Sequence, residues 1–134
     1  MVTPWLTTEL LRLLDEVLDS VEKVELAWHL TEAGGPLPAP ELQARTQLDT
    51  RTLRAAMADL ARDRVIAMHG GPVPTVQLAA RARRPDFEAL MRLYTADRPV
   101  VMAALTSISM SRIRSMAART FGEAFVLRKK KGDS

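Results

Sequence analysis

Apolar residues return every three to four positions through most of this chain, and that spacing predicts helices around one short hairpin. In the first segment Leu10, Leu14, Val17, Leu18 and Val21 fall on one helical face, with Thr7 or Thr8 placed to cap the start and Glu9 in the first turn. Asp19 followed by Glu22 resembles a capping box that opens a second helix, VEKVELAWHLTEA. Its apolar face is Val21, Val24, Ala27 and Trp28, widened by Leu26 and Leu30. Whether these segments form one helix or two is left open by the pattern. Gly34 and Gly35 end the run with a left-handed cap, and Pro36, Pro38 and Pro40 predict a stiff extended link.

The next run, PELQARTQL, predicts a short helix with Pro40 in its first turn and Leu42 and Leu48 as anchors. Asp49 is a natural cap for the helix TRTLRAAMADLARDR, in which Leu53, Met57 and Leu60 commit one face to a core. VIAM and TVQL flank HGGPVP, which reads as a hairpin with a long turn. A helix is predicted from Pro85, striped by Phe87, Leu90, Met91 and Tyr94 and broken at Asp97, Arg98 and Pro99. A long final helix, PVVMAALTSISMSRIRSMAARTF, follows, and the charged end LRKKKGDS is expected to be disordered.

Composition narrows the possibilities. The 134 residues carry 47% hydrophobic and 26% charged side chains, enough for a packed core. Aromatics are only 4%, so that core must be mostly aliphatic, with Trp5 and Trp28 as packing residues. The absence of cysteine excludes disulfides, thiolate metal sites and a thiol nucleophile, and His29 and His69 alone are a poor basis for a metal site. No apolar run approaches the roughly 18 residues of a membrane span, and the N-terminus lacks a signal-peptide pattern. A cytoplasmic protein without membrane association is expected. Charge is split along the chain. Residues 1–49 hold three basic and nine acidic groups, a balance of −6, so with +3 overall the remainder carries +9. A basic half suits a polyanionic partner, and it also suits a solvated surface rich in arginine.

Helix, short helix, tight turn, third amphipathic helix and hairpin follow one another over residues 21–79, the order of a winged helix-turn-helix. The run ELQARTQLDTRTLRAAMADL at 41–60, continuing through Val65 and Ile66, resembles the DNA-binding core of the bacterial MarR and ArsR superfamilies. The expected fold is mainly α, with three helices and a β-hairpin wing plus additional N- and C-terminal helices. Residues 1–19 form the N-terminal extension, 20–80 the winged helix-turn-helix domain, 81–127 the C-terminal helices and dimerisation region, and 128–134 the basic tail. The resemblance implies that the third helix lies in the major groove while the wing touches neighbouring backbone. The chain departs from the usual motif at three places: Gln43 where Ala is common, and Gln47 and Arg64 where Gly is common.

The third helix carries the candidate chemistry. Subtracting Leu53, Ala56, Met57 and Leu60 leaves an exposed face of Thr50, Arg51, Arg54, Ala55, Ala58 and Arg62. Arg51 and Arg54 share a face and suit guanine or phosphate, while the small alanines allow close approach. Arg45, on the preceding helix, and Thr50 are candidates for phosphate, aided by the helix N-terminus. Asp59 with Arg62 fits a plain surface ion pair, whereas Arg51 and Arg54 have alanines at i+4. The wing carries His69 but neither Arg nor Lys, and His69 fits an exposed turn residue. Arg81, Arg83 and Arg84 could contact DNA backbone instead, or pair with Asp86 and Glu88. His29 fits a structural or exposed role.

The final helix shows apolar residues on more than one side, among them Val100, Val101, Met102, Leu105, Ile108, Met110, Ile113 and Met116. That excess suggests packing on a second subunit, although folding back on the N-terminal helix would also use it. The leading expectation is a homodimeric transcriptional regulator bound to double-stranded DNA, with Arg45, Thr50, Arg51, Arg54 and Arg62 at the contact. The alternative is a winged-helix module that binds a protein partner without specific DNA binding. No nucleophile–base pair, paired carboxylates or phosphate loop stands out, so neither an enzyme nor a cofactor is expected. The resemblance also allows a small-molecule pocket between the core and the terminal helices.

Overall fold

A computed structural model describes the backbone of residues 6–132 and the side chains of residues 6–120. The expectation for Trp5 lies outside the described residues. The Thr7 hydroxyl accepts from the Leu10 amide at 3.3 Å and opens α1, Thr8–Glu16. Leu10 and Leu14 turn inward, and the helix stops at Val17. A buried Leu18 then fills the corner. The cap of α2, Val21–Ala33, is Ser20 rather than Asp19: its hydroxyl takes the Lys23 amide at 3.3 Å. Asp19 instead pairs through its side chain with Lys23. The two segments are therefore separate helices. Val21, expected on the apolar face, is 42% exposed, because it sits in the first turn just past the corner filled by Leu18. Gly34 closes α2 at φ 70°, a conformation that favours glycine.

The proline-rich link does more than extend. Leu37–Pro38 forms a two-residue strand, β1, followed by α3, Ala39–Thr46, and α4, Thr50–Arg62. The hairpin comprises β2, Ile66–His69, and β3, Thr75–Leu78, paired antiparallel with Met68 opposite Val76. β1 adds to the other side of β3, with Leu37 opposite Val76, giving the order β1-β3-β2. Pro38 is tolerated because β1 is an edge strand. The wing is thus stitched at its root to the link between α2 and α3.

A single turn of tighter helix at Ala80–Ala82 leads to α5, Pro85–Ala96. The last helix, α6, runs Arg98–Gly132. Residues expected to break the chain at 97–99 do so only briefly, and the expected disordered end is helical backbone as far as Gly132. One hydrophobic core joins the terminal helices to the helix-turn-helix: Leu14, Leu18, Val24, Leu42, Leu60, Leu90, Tyr94 and Val101 are all essentially solvent-free. Each fully buried leucine contributes roughly 1.5–3 kcal/mol relative to an exposed one. That shared core fixes α4 against α2 and leaves its opposite face open.

Candidate nucleic-acid interface

Asp49 starts α4 by accepting from the Thr52 amide at 2.7 Å and the Thr52 hydroxyl at 3.0 Å. Those hydrogen bonds hold its carboxyl below the ordinary value of 3.8. The helix N-terminus expected to receive a phosphate is therefore partly taken by the chain's own carboxylate. The turn before it contains Gln47 at φ 58°, and Arg64 just beyond α4 stands at φ 60°. Both occupy the left-handed region that favours glycine. Gln43 spans the turn: its Nε2 donates to the Leu48 carbonyl at 3.2 Å and to the Thr50 hydroxyl at 3.0 Å. Among the described residues the Thr50 hydroxyl donates no hydrogen bond of its own.

Leu53, Ala56, Met57 and Leu60 are the buried side of α4, as the spacing predicts. Thr50, Arg51, Arg54, Ala55, Ala58 and Arg62 are exposed together on the other side. Among the described residues, Arg51 and Arg54 enter no ion pair. Arg45 lies on α3 and pairs with Glu41 at 2.9 Å, both partners exposed. Arg62 reaches Asp59 at 3.3 Å and Asp63 at 3.9 Å. Exposed pairs of this kind are worth about 0–1 kcal/mol, so an external anion competes with them readily. The candidate interface therefore has, among the described residues, two unpaired arginines at one end and two loosely held ones at its margin.

His69 ends strand β2 and is exposed there, rather than sitting in the turn. Met68 and Val73, also on the wing, are 50% and 52% exposed. Arg81, Arg83 and Arg84 are exposed and make no ion pair with Asp86 or Glu88 among the described residues. His29 packs edge-on against Trp28 and lies 3.4 Å from Glu25, a structural placement. No group of His, Cys, Asp and Glu suited to a metal occurs among the described residues.

Two clusters behind the interface were not legible as such. Lys23 is almost fully buried, with Nζ 2.7 Å from Asp19 and 3.2 Å from Asp59. Burial acts to lower its ammonium, but the hydrogen bonds to both carboxylates outweigh that and hold it above its ordinary value. Asp19 is likewise held low: burial opposes this, and the bonds from Lys23 and Arg112 prevail. The i,i+4 spacing of Asp19 and Lys23 was a visible signal; Asp59 and Arg112 are too distant in sequence to suggest themselves. In the second cluster the Tyr94 hydroxyl donates to Glu25, and Arg98 lies over the rings of Tyr94 and Trp28 at 4.8 and 5.5 Å. The Trp28 indole donates to Thr95 at 2.9 Å. This cluster ties the start of α6 to α2.

Comparison with solved structures places the architecture. The YusO protein from Bacillus subtilis superposes with a TM-score of 0.52 at 16% identity, over 85% of this chain and 82% of that one. A probable transcriptional regulator from Pseudomonas aeruginosa gives 0.52 at 19% identity, over 83% and 87%. No protein-family model and no curated protein matches the chain. At these identities the likeness is one of fold, and the fold is a winged helix-turn-helix with helices added at both ends.

Proposed function

We propose that the protein is a cytoplasmic, DNA-binding transcriptional regulator that reads the major groove with α4. The observation that carries this is the pair Arg51 and Arg54, exposed and, among the described residues, without acidic partners on the outer face of the helix that follows the turn. Arg is suited to bidentate contact with guanine, and the neighbouring Ala55 and Ala58 leave room for the groove edge. Arg45, Thr50 and Arg62 supply phosphate contacts that fix the register. The likeness in fold to a probable transcriptional regulator supports the same reading.

The working unit is a homodimer. Leu6 and Leu11 face Val100, Ala104, Ile108 and Met116 across an open groove between α1 and α6. Met110, Ile113 and Met116 are 49%, 59% and 67% exposed at three-residue spacing, an apolar stripe suited to a second subunit. Two-fold pairing there suits two reading helices about 34 Å apart on a pseudo-palindrome. No described helix is long and apolar enough to cross a membrane.

A second reading, a protein-binding winged helix, is favoured by one observation: the wing offers exposed Met68 and Val73 but no Lys or Arg. Titration with mixed genomic duplex at low and moderate salt, with anisotropy and sedimentation followed together, separates the two. Binding that falls steeply with salt, with two chains per complex, supports the regulator. No binding at low salt favours the protein partner.

A further inference from the structure

A line of alternating charges runs from α6 to the margin of α4. Arg112 on α6 reaches Asp15 at 2.6 Å and Asp19 at 3.4 Å. The other oxygen of Asp19 holds Lys23 at 2.7 Å. Lys23 in turn reaches one oxygen of Asp59 on α4 at 3.2 Å, and the second oxygen of Asp59 holds Arg62 at 3.3 Å. Asp19, Lys23 and Asp59 each divide their charge between two partners on different elements or turns. Only Lys23 in this line is withdrawn from water, at 9% exposure, so its two carboxylates compete for it with little screening.

We propose that Lys23 is a positioning residue that passes the docking of α6 to Arg62, so that contact between Arg112 and Asp19 raises affinity for DNA. This rests on the reading of α4 as the DNA-contacting helix. The direction follows from the competition. With Arg112 in place, part of the Asp19 charge is satisfied, so Lys23 is shared and also compensates Asp59. Asp59 then holds Arg62 weakly, and the guanidinium turns to phosphate. When Arg112 withdraws, Asp19 draws Lys23 toward itself, as the shorter of the two distances already favours. Asp59 is left undercompensated and clamps Arg62.

The test is DNA affinity in variants of the full chain, with sedimentation recorded for each. Arg112→Ala weakens binding two- to fivefold and Asp19→Asn strengthens it by a similar factor, opposite signs that general loss of structure does not produce. Both effects disappear in an Asp59→Asn background, because Arg62 is then held only by Asp63 at 3.9 Å, a carboxylate outside the line that Lys23 joins. A change in dimerisation or in overall charge would persist in that background. Lys23→Met gives the largest weakening if it folds; the other variants lie on more accessible residues and carry the test if it does not. Effects of the same sign, no effects, or effects that survive Asp59→Asn overturn the proposal. Arg54→Ala separates the two levels. If it is silent, the DNA-reading role of α4 fails and this proposal with it. If it weakens binding while Arg112→Ala and Asp19→Asn do nothing, only the coupling fails.

Discussion

The side-chain amide of Gln43 donates to the hydroxyl of Thr50 at 3.0 Å, joining the first helix of the helix-turn-helix to the first residue of the second. The same nitrogen also donates to the Leu48 carbonyl, so one residue braces the whole turn. Replacing Gln43 by Ala, the residue common in related motifs, removes both bonds. The expected cost is about 0.5–1.5 kcal/mol per bond lost, less whatever water restores. Chemical denaturation of Gln43→Ala measures it, and a variant as stable as the parent would show that the brace contributes nothing.

Gln47 and Arg64 occupy left-handed backbone without the freedom of glycine. Gln47→Gly and Arg64→Gly relieve that strain, while glycine also adds entropy to the unfolded chain. A net stabilisation of up to about 1 kcal/mol at each site is expected, because the left-handed penalty of roughly 1–2 kcal/mol is the larger effect. Thermal melts showing a lower midpoint for either variant would contradict this.

Arg51 and Arg54 differ from Arg62 in what they must give up to bind. Arg54→Ala is expected to weaken specific DNA binding by roughly 1–3 kcal/mol and to relax preference at one base pair. Arg62→Ala is expected to act evenly across sequences and to reduce the salt slope by about 1. Anisotropy titrations on a panel of duplexes distinguish them. Equal effects on all sequences from both substitutions would assign Arg54 to phosphate rather than base.

The charged clusters predict a loss of stability at both ends of the pH scale. Asp19 and Asp49 have lowered carboxyls, so their stabilisation is complete above the ordinary value of 3.8 and is lost as pH falls below it. Tyr94 and Lys23 are raised. The Tyr94 hydroxyl is pushed up chiefly by burial, then by its bond to Glu25, with Arg98 opposing. Stability from these two is complete below their ordinary values of 10.0 and 10.5 and is lost as pH rises beyond them. Urea midpoints measured from pH 2.5 to 11 should therefore fall at both extremes, and Tyr94→Phe should flatten part of the alkaline fall. An alkaline limb unchanged by Tyr94→Phe would remove Tyr94 from this account.

Local rules carried the reading of this sequence furthest. Asp49 and Gly34 were recognisable as caps because a cap depends on residues within one turn, and the buried side of α4 followed from spacing alone. Ser20 and Asp19 are both good caps, and which one serves depends on the ion pair Asp19 makes with Lys23. β1 escaped notice because two residues beside prolines become a strand only when β3, nearly forty positions later, supplies the partner. The outward face of α4 was likewise legible. The engagement of Arg62 by Asp59 was legible from their i,i+3 spacing, and Glu41 with Arg45 has the i,i+4 spacing of such a pair; that Lys23 lies behind Asp59 depends on a contact that periodicity does not encode.

The 35 residues of α6 form one unbroken rod of about 50 Å at 1.5 Å per residue, and its first residue is Arg98, held against Tyr94 and Trp28. Such a rod turns a small tilt at its fulcrum into a large excursion at its far end. A 5° rotation about Arg98 moves the other end by about 4 Å, less than the roughly 5.4 Å of one helical pitch. Angular play at Arg98, and in the packing of Val101, Leu105 and Arg112 farther along, thus sets the positional tolerance of everything α6 carries beyond them.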